Sequence, residues 1–408
     1  MGRDKVLTRY ILFTSMNFPS GGAGATYLKL FCRGLKLNGF SVSVFLLKGF
    51  AFGKFTYNGP RKNVTEDNIP YTYLGFKQRP DNIILKLCDE LLSFVRLTFC
   101  LFSLIPDRKN ISLLVYSSDT PFTIPISLFA KILGIRISKF VAEIIDKTEF
   151  DGSFFRKLKR YEYSFNFKYL NKCADKLIVF SYYLKNEFMK MGYNENNIIV
   201  QPNLTDFKYW ESSGEEIKYD LGYSGAPYLK DGLYDLFKAM SLLSKEKIYV
   251  TLLVIGDTTF GKSLIPALKV ECEKLGIDKY VTFTGLVESF LVKKYLSECK
   301  VLAITRPSTI QTMAGFPTKL GEYYACKKPI LATNFGDMDK YFTDGLDIVM
   351  AECGNPESIA KKILWMLQNS RELELISIRG YEKAYQMLEY KNSVLRMINF
   401  LDSNLEHK

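Results

Sequence analysis

Short apolar, β-branched runs alternate with stretches of helical periodicity along nearly the whole chain. In the first half the runs predict strands over 10–15, 41–47, 113–117, 136–143, 176–180 and 198–201. In the second half they predict strands over 219–224, 249–255, 281–284, 301–305, 330–333 and 347–350. Helical patterns fill the gaps, as at 26–37, 181–191, 233–243, 262–275 and 317–326. Apolar strands alternating with helices imply parallel sheets covered on both faces. The fold class is therefore α/β, with two doubly wound, Rossmann-like domains facing a cleft. The run Ser212-Ser213-Gly214-Glu215-Glu216 reads as a linker. It divides a first domain, 1–212, from a second, 213–375. The stretch 376–408 is helical with no strand after it, and is expected to pack back on the first domain.

One helical window, 83–106, is rich in Leu, Phe and Cys but carries Lys86, Asp89, Glu90 and Arg96. Those charges exclude a membrane span. Two readings remain, a helix packed on the first sheet or one lying on a membrane surface; the sequence favours the first.

Composition narrows the partners. The chain carries 55 basic and 43 acidic side chains, a net charge of +12. That balance favours phosphates, nucleic acid or an acidic membrane surface. No zinc spacing or arginine-rich arm appears, so nucleic acid is not expected. Eight cysteines include no C-x-x-C, which points to free thiols in a reducing compartment. Arg3, Asp4, Lys5 and Arg9 interrupt the start too early for a secretory leader. The expected location is cytoplasmic, peripheral to the inner face of the membrane.

Four constellations carry the candidate chemistry. Ser20-Gly21-Gly22-Ala23-Gly24-Ala25 follows the first strand and opens a helix, where backbone N–H groups approach an anion. It lacks the G-x-G-x-x-G spacing of a dinucleotide site, and a tight turn explains it equally well. Tyr223-Ser224-Gly225 through Lys230-Asp231-Gly232 opens the second domain in the same way. Lys230 there meets either a diphosphate or only solvent. Arg306 ends an apolar strand in Thr305-Arg306-Pro307, and points either into the cleft or at a neighbouring carboxylate. Gly315-Phe316-Pro317-Thr318-Lys319-Leu320-Gly321-Glu322 is a loop entering a helix. Pro317 suits its first position, and Lys319 and Glu322 share one face.

In this order and spacing, the motifs resemble the family-4 retaining glycosyltransferases of the GT-B fold, in the branch that builds surface polysaccharides. The similarity runs from Phe18 to Ala25, through Ala174-Asp175, Ser181, Pro202-Asn203 and Asp206, to Tyr323. It implies a nucleotide-sugar donor, UDP- or GDP-linked, bound as substrate mainly by the second domain, with no separate cofactor. Glu322 matches the glutamate that holds the ribose hydroxyls, and Lys230 the lysine on the donor diphosphate. Gly21 and Gly22 match the loop that closes on the donor from the first domain. Gly225, Gly315, Phe316, Pro317 and Lys319 fall within the matching donor motifs. The implied partners are that donor, a glycan or lipid-linked acceptor, and peripheral contact with an anionic membrane.

The chain departs from the family pattern at three points. The first motif glutamate is Ala314, and the arginine expected after Gly225 is Ala226, a role that Arg306 is placed to fill. The sole histidine is His407, so the histidine that many relatives carry in the first domain is missing. These departures also suit a catalytically silent subunit that partners an active glycosyltransferase. If the chain is an enzyme, Lys230 and Arg306 stabilise the leaving phosphate. Glu143, with Asp146 a weaker second, orients the acceptor or donor sugar or is simply a surface carboxylate. No metal is expected: Asp337-Met338-Asp339 spells D-x-D, but its position suits helix capping.

Overall fold

A computed structural model describes residues 9–53, 55–142, 154–212, 214–259 and 261–403. The chain forms two compact units, Met1–Pro202 with Tyr390–Lys408, and Asn203–Glu389.

The first unit holds β1 (Arg9–Thr14), β2 (Ser41–Leu46), β3 (Lys62–Val64), β4 (Pro70–Tyr73), β5 (Ile111–Tyr116), β6 (Arg136–Val141), β7 (Lys176–Val179) and β8 (Ile198–Val200). They pair in the order β3-β4-β2-β1-β5-β6-β7-β8, parallel throughout except for the antiparallel β3–β4 edge. The central strands β1 and β5 are almost wholly buried, as sheets covered on both faces require. The edge pair β3–β4 was not predicted. Lys62-Asn63-Val64 is mostly polar, as an edge strand tolerates, and Pro70 is the first residue of β4, a position where a proline is tolerated within a sheet.

The second unit holds β9 (Tyr219–Ser224), β10 (Leu252–Ile255), β11 (Val281–Phe283), β12 (Cys299–Ile304), β13 (Ile330–Thr333) and β14 (Val349–Ala351). Its order, β11-β10-β9-β12-β13-β14, is parallel throughout and reverses direction between β9 and β12. That reversal is the switch point of a doubly wound sheet, where the loops after two adjacent strands diverge and leave a crevice. The expected strand 249–255 starts late, because Tyr249 is exposed and stacks on Tyr280 at 5.0 Å.

The unit boundaries differ from the expected 212/213 and 375/376. Helix Phe207–Trp210 belongs to the second unit, since buried Phe207 packs edge-on against Tyr381 and Tyr385 and Cys326 donates to the Trp210 carbonyl. Helix Ser370–Leu388 stays there too, with Gly380 lying against the ring of Tyr324. Only the last helix, Tyr390–Asp402, joins the first unit. It packs on helix Ala23–Leu37, where a Cβ at Gly34 would come within 2.6 Å of the Val394 Cβ. Val394 is fully buried, so the contact cannot relax cheaply. Gly34→Ala should therefore lower stability by about 1–3 kcal/mol, read as a fall in the denaturation midpoint. An unchanged midpoint would contradict this close packing.

Candidate functional site

The switch point of the second unit gathers four residues that are far apart in sequence. After β9 the chain turns through Gly225 and a single 3-10 turn, Leu229–Asp231, into helix Leu233–Lys245. Helix Thr318–Ala325 carries Lys319 inward, and Arg306 follows the end of β12. The Asp231 carboxylate receives both cations on one oxygen: Arg306 donates at 2.9 Å and Lys319 Nζ at 3.1 Å. Lys319 also donates to the Tyr223 hydroxyl at 2.6 Å and lies 4.0 Å from the centre of that ring. The Tyr223 hydroxyl in turn donates a hydrogen bond to the Ala226 carbonyl at 2.9 Å.

Backbone geometry keeps this cluster closed. Gly225 has φ +112°, and a Cβ there would meet Lys319 Cε at 2.6 Å. Gly232 has φ +74°, and its Cβ would drive into the Thr305 carbonyl. Both positions thus exclude larger residues on conformation and on space. Thr305 Oγ1 ties β12 to the turn by donating to the Gly232 carbonyl at 2.9 Å. Ser224 N–H donates to the Tyr323 hydroxyl at 2.8 Å, fixing the helix that bears Lys319.

The charges do not cancel. Burial pushes the Asp231 carboxyl up, but Lys319 and then Arg306 outweigh it and hold it below its ordinary value. Burial lowers Lys319 to about 8, with Asp231 acting against that and Arg306 adding to it. The aspartate gains from two cations, whereas the lysine shares one carboxylate with an arginine. Burial also raises Glu322 to about 7, with Lys319 opposing. Glu322 keeps partial solvent access one turn along the same helix. Arg306 Nε is buried with no hydrogen-bond partner among the described residues. A buried donor without a partner is unusual in a native fold. The cluster thus presents surplus positive charge and an unused donor at the carboxyl ends of β9 and β12, a setting for an anion.

The structure brings Gly225, Arg306 and Lys319 together and adds Asp231 and Tyr223, which sequence reasoning did not single out. Lys230 neighbours them in the turn, half-buried and without an ion-pair partner among the described residues. Gly315 follows helix Ile310–Ala314 in an extended conformation, and Phe316 packs edge-on against Tyr341 at 5.6 Å. Pro317 stands one residue before the helix, at its N-cap, rather than at its first position. Ala314 is fully buried.

Gly21 and Gly22 belong to the first unit, in the loop between β1 and helix Ala23–Leu37. Gly21 has φ +147°, and Gly22 caps the helix without a side-chain bond. Glu143 and Asp146 lie outside the described residues. The expected capping by Asp337 needs correction: its side chain makes no cap bond to helix Met338–Tyr341 and instead accepts from Lys340 at 2.6 Å. Several other motif residues serve the fold. Ser181 and Asp206 cap helices, and Asp175 accepts from the Ile137 N–H at 2.8 Å.

Removing the Asp231 charge leaves two buried cations facing each other. Asp231→Asn should lower stability by on the order of 3–5 kcal/mol in a urea titration. Wild-type stability would contradict the role given to this carboxylate. Glu322 binds its proton more tightly folded than unfolded, so between its ordinary 4.5 and about 7 stability falls as pH rises. Lys319 has the opposite sign, and stability rises with pH from about 8 towards 10.5. Glu322→Gln should flatten the first slope, and an unchanged slope would show that Glu322 does not titrate there.

Comparison with known proteins agrees with this architecture. Residues 218–369 match the family described as glycosyl transferases group 1. An uncharacterized glycosyltransferase of Methanocaldococcus jannaschii is 25% identical over 221 residues, 53% of this chain and 56% of the relative. The chain spans just over half the length of the curated relatives it matches. Among solved structures, Anabaena HepE in complex with UDP superposes with a TM-score of 0.73 at 16% identity, covering 97% of this chain and 100% of that one. The sucrose-phosphate synthase of Thermosynechococcus elongatus gives 0.74 at 13% identity, covering 98% and 100%. The second unit thus carries a domain of the glycosyl transferases group 1 family, and the chain has the GT-B fold.

Proposed function

We propose that the chain is a family-4 retaining glycosyltransferase. It moves a sugar from a UDP- or GDP-linked donor to a glycan or lipid-linked acceptor in surface polysaccharide or glycoconjugate biosynthesis, without a metal. The observation that carries this reading is the surplus cation at the β9/β12 switch point, with Arg306 Nε buried and unpartnered among the described residues. A nucleoside diphosphate supplies the missing acceptor oxygens. The UDP in the HepE complex supports a ligand of this class.

In this reading Arg306 and Lys319 grip the diphosphate, and Lys230 adds a third cation from the turn. Glu322, as a carboxylate, accepts from the ribose hydroxyls. The anomeric C–O bond to phosphate breaks while the bond to the acceptor oxygen forms on the same face. The acceptor proton passes to the departing phosphate oxygen, so no protein nucleophile is needed. Charge grows on that phosphate in the transition state, where fixed cations act most strongly.

Arg306→Ala and Lys230→Ala should each lower kcat on the order of 100-fold while the protein stays folded. Wild-type turnover in both would sink the diphosphate assignment. Glu322→Ala should chiefly weaken donor binding, and unchanged nucleotide affinity would remove it from the ribose site. A thermal-shift panel of UDP-, GDP- and dTDP-sugars identifies the base, since a bound ligand raises the melting temperature by mass action. Release of nucleoside diphosphate from the stabilising donor separates an enzyme from a silent subunit.

A further inference from the structure

The first unit has a crevice of its own, where its strand order reverses between β1 and β5. The ends of β5 and β6, the start of the loop after β1 and helix Phe154–Lys168 border a cleft of about 530 Å³, counting the part open to solvent. That volume falls in the range of small-molecule sites. Its walls are aromatic. Tyr116 and Phe140 form one pair, with ring centres 5.7 Å apart. Tyr163 and Phe167, one turn apart on the helix, form a second pair at 6.1 Å with an interplanar angle of 27°. Short neutral polar groups stand beside the rings: Ser117, Ser118, Asn166 and Asn171. Ser117 Oγ lies 2.7 Å from Ser15 Oγ and donates to Asp119 at 3.4 Å. Burial pushes the Asp119 carboxyl up, but its ion-pair partner Lys48 outweighs that and holds it below its ordinary value. The negative charge behind Ser117 is thus answered within the fold. Asn166 is 3% exposed, and its Nδ2 has no hydrogen-bond partner among the described residues. A buried amide donor normally has one, and an oxygen brought by a ligand would supply it.

Among the described residues no charged side chain lines this cleft, although the chain carries 55 basic ones. A phosphate or carboxylate would leave water for a place without a counter-charge, at high cost. Aromatic rings interleaved with amides and hydroxyls suit a ligand that is apolar on its faces and hydroxylated at its edge. The C–H face of a pyranose lies against the negative face of an aromatic ring, while its hydroxyls bond to amides and serines. An aliphatic chain would leave Asn166 Nδ2 as unpaired as before. We infer that the cleft seats an uncharged pyranose. Taken with the proposed glycosyl transfer, on which this step rests, that sugar is the end of the acceptor. The chain then extends a glycan that ends in a neutral sugar, rather than a lipid phosphate or an acidic sugar. The binding of the sugar itself does not depend on that reading.

Saturation-transfer NMR on the full-length protein, without nucleotide, tests the seat with methyl glycosides of glucose, galactose and mannose as probes. At least one of them should receive saturation, and glucuronic acid and a hexose phosphate should bind at least about tenfold more weakly. Ser118→Trp, at an exposed position of the lining, should block the neutral glycoside with the melting temperature unchanged. Asn166→Ala should weaken binding on the order of tenfold without lowering the melting temperature, since Nδ2 makes no bond within the described fold. An asparagine that serves only the fold would show the reverse. The inference is overturned if no neutral glycoside binds, if the charged sugars bind as well, or if both variants bind like the wild type. It is also overturned if octanol receives saturation and the glycosides do not, which would give the cleft to a lipid chain. Release of nucleoside diphosphate from a donor is measured separately, so that failure of the transfer reading is told apart from failure of the sugar seat. With donor present, the glycoside that binds should gain a sugar, and Ser118→Trp should raise its KM. A bound glycoside that gains none while the donor is consumed would overturn the acceptor assignment.

Discussion

One carboxylate holds the second unit's crevice together. Asp231 accepts both Arg306 and Lys319 on a single oxygen, and each cation comes from a different element. Without it, two buried positive charges would face each other beside the carboxyl ends of β9 and β12. With it, the site keeps one surplus charge and an Arg306 donor unpaired among the described residues, enough to attract an anion without tearing the packing apart. The glycines follow from the same constraint. Gly225 is small because the lysine stem passes over it, and Gly232 because the turn must reach the end of β12. A buried ion cluster of this kind contributes little net stability, but it fixes geometry. That trade suits a binding site better than a core.

The fold was legible because parallel central strands are nearly continuous apolar runs. β9 and β13 were read with their observed bounds, and most other strands to within about two residues. The misses have physical causes. β3 is a short, mostly polar edge strand, and β4 beside it is a short strand led by a proline. The serine- and acid-rich stretch near 212 looked like a boundary, yet the chain had already committed to the second unit through Phe207. In the site, Arg306 and Lys319 stood out as cations at strand and helix ends. Asp231 did not, because an aspartate beside a glycine is ordinary turn chemistry. Its role exists only once positions 223, 231, 306 and 319 converge in space, which no local pattern encodes.

Helix Ile83–Ser103 shows the limit of reading periodicity alone. The sequence favoured packing on the sheet, and the helix does pack there, but through Asp89, Ser93 and Arg96 as much as through leucines. Periodicity reports that two faces differ, not which of them turns inward. Here hydrogen bonds to loop carbonyls and N–H groups won the inner face and left the larger apolar side chains outside.

The claim that the Asp231-braced cations receive a nucleoside diphosphate is tested most directly by the titration of Lys319 Nζ. NMR of labelled lysine side chains, assigned with Lys319→Met, reads its pKa with and without UDP. The account expects a midpoint near about 8 in the free protein and a clear upward shift with UDP, because a bound anion favours the charged form. A saturating UDP concentration that leaves the Lys319 midpoint unmoved would contradict it.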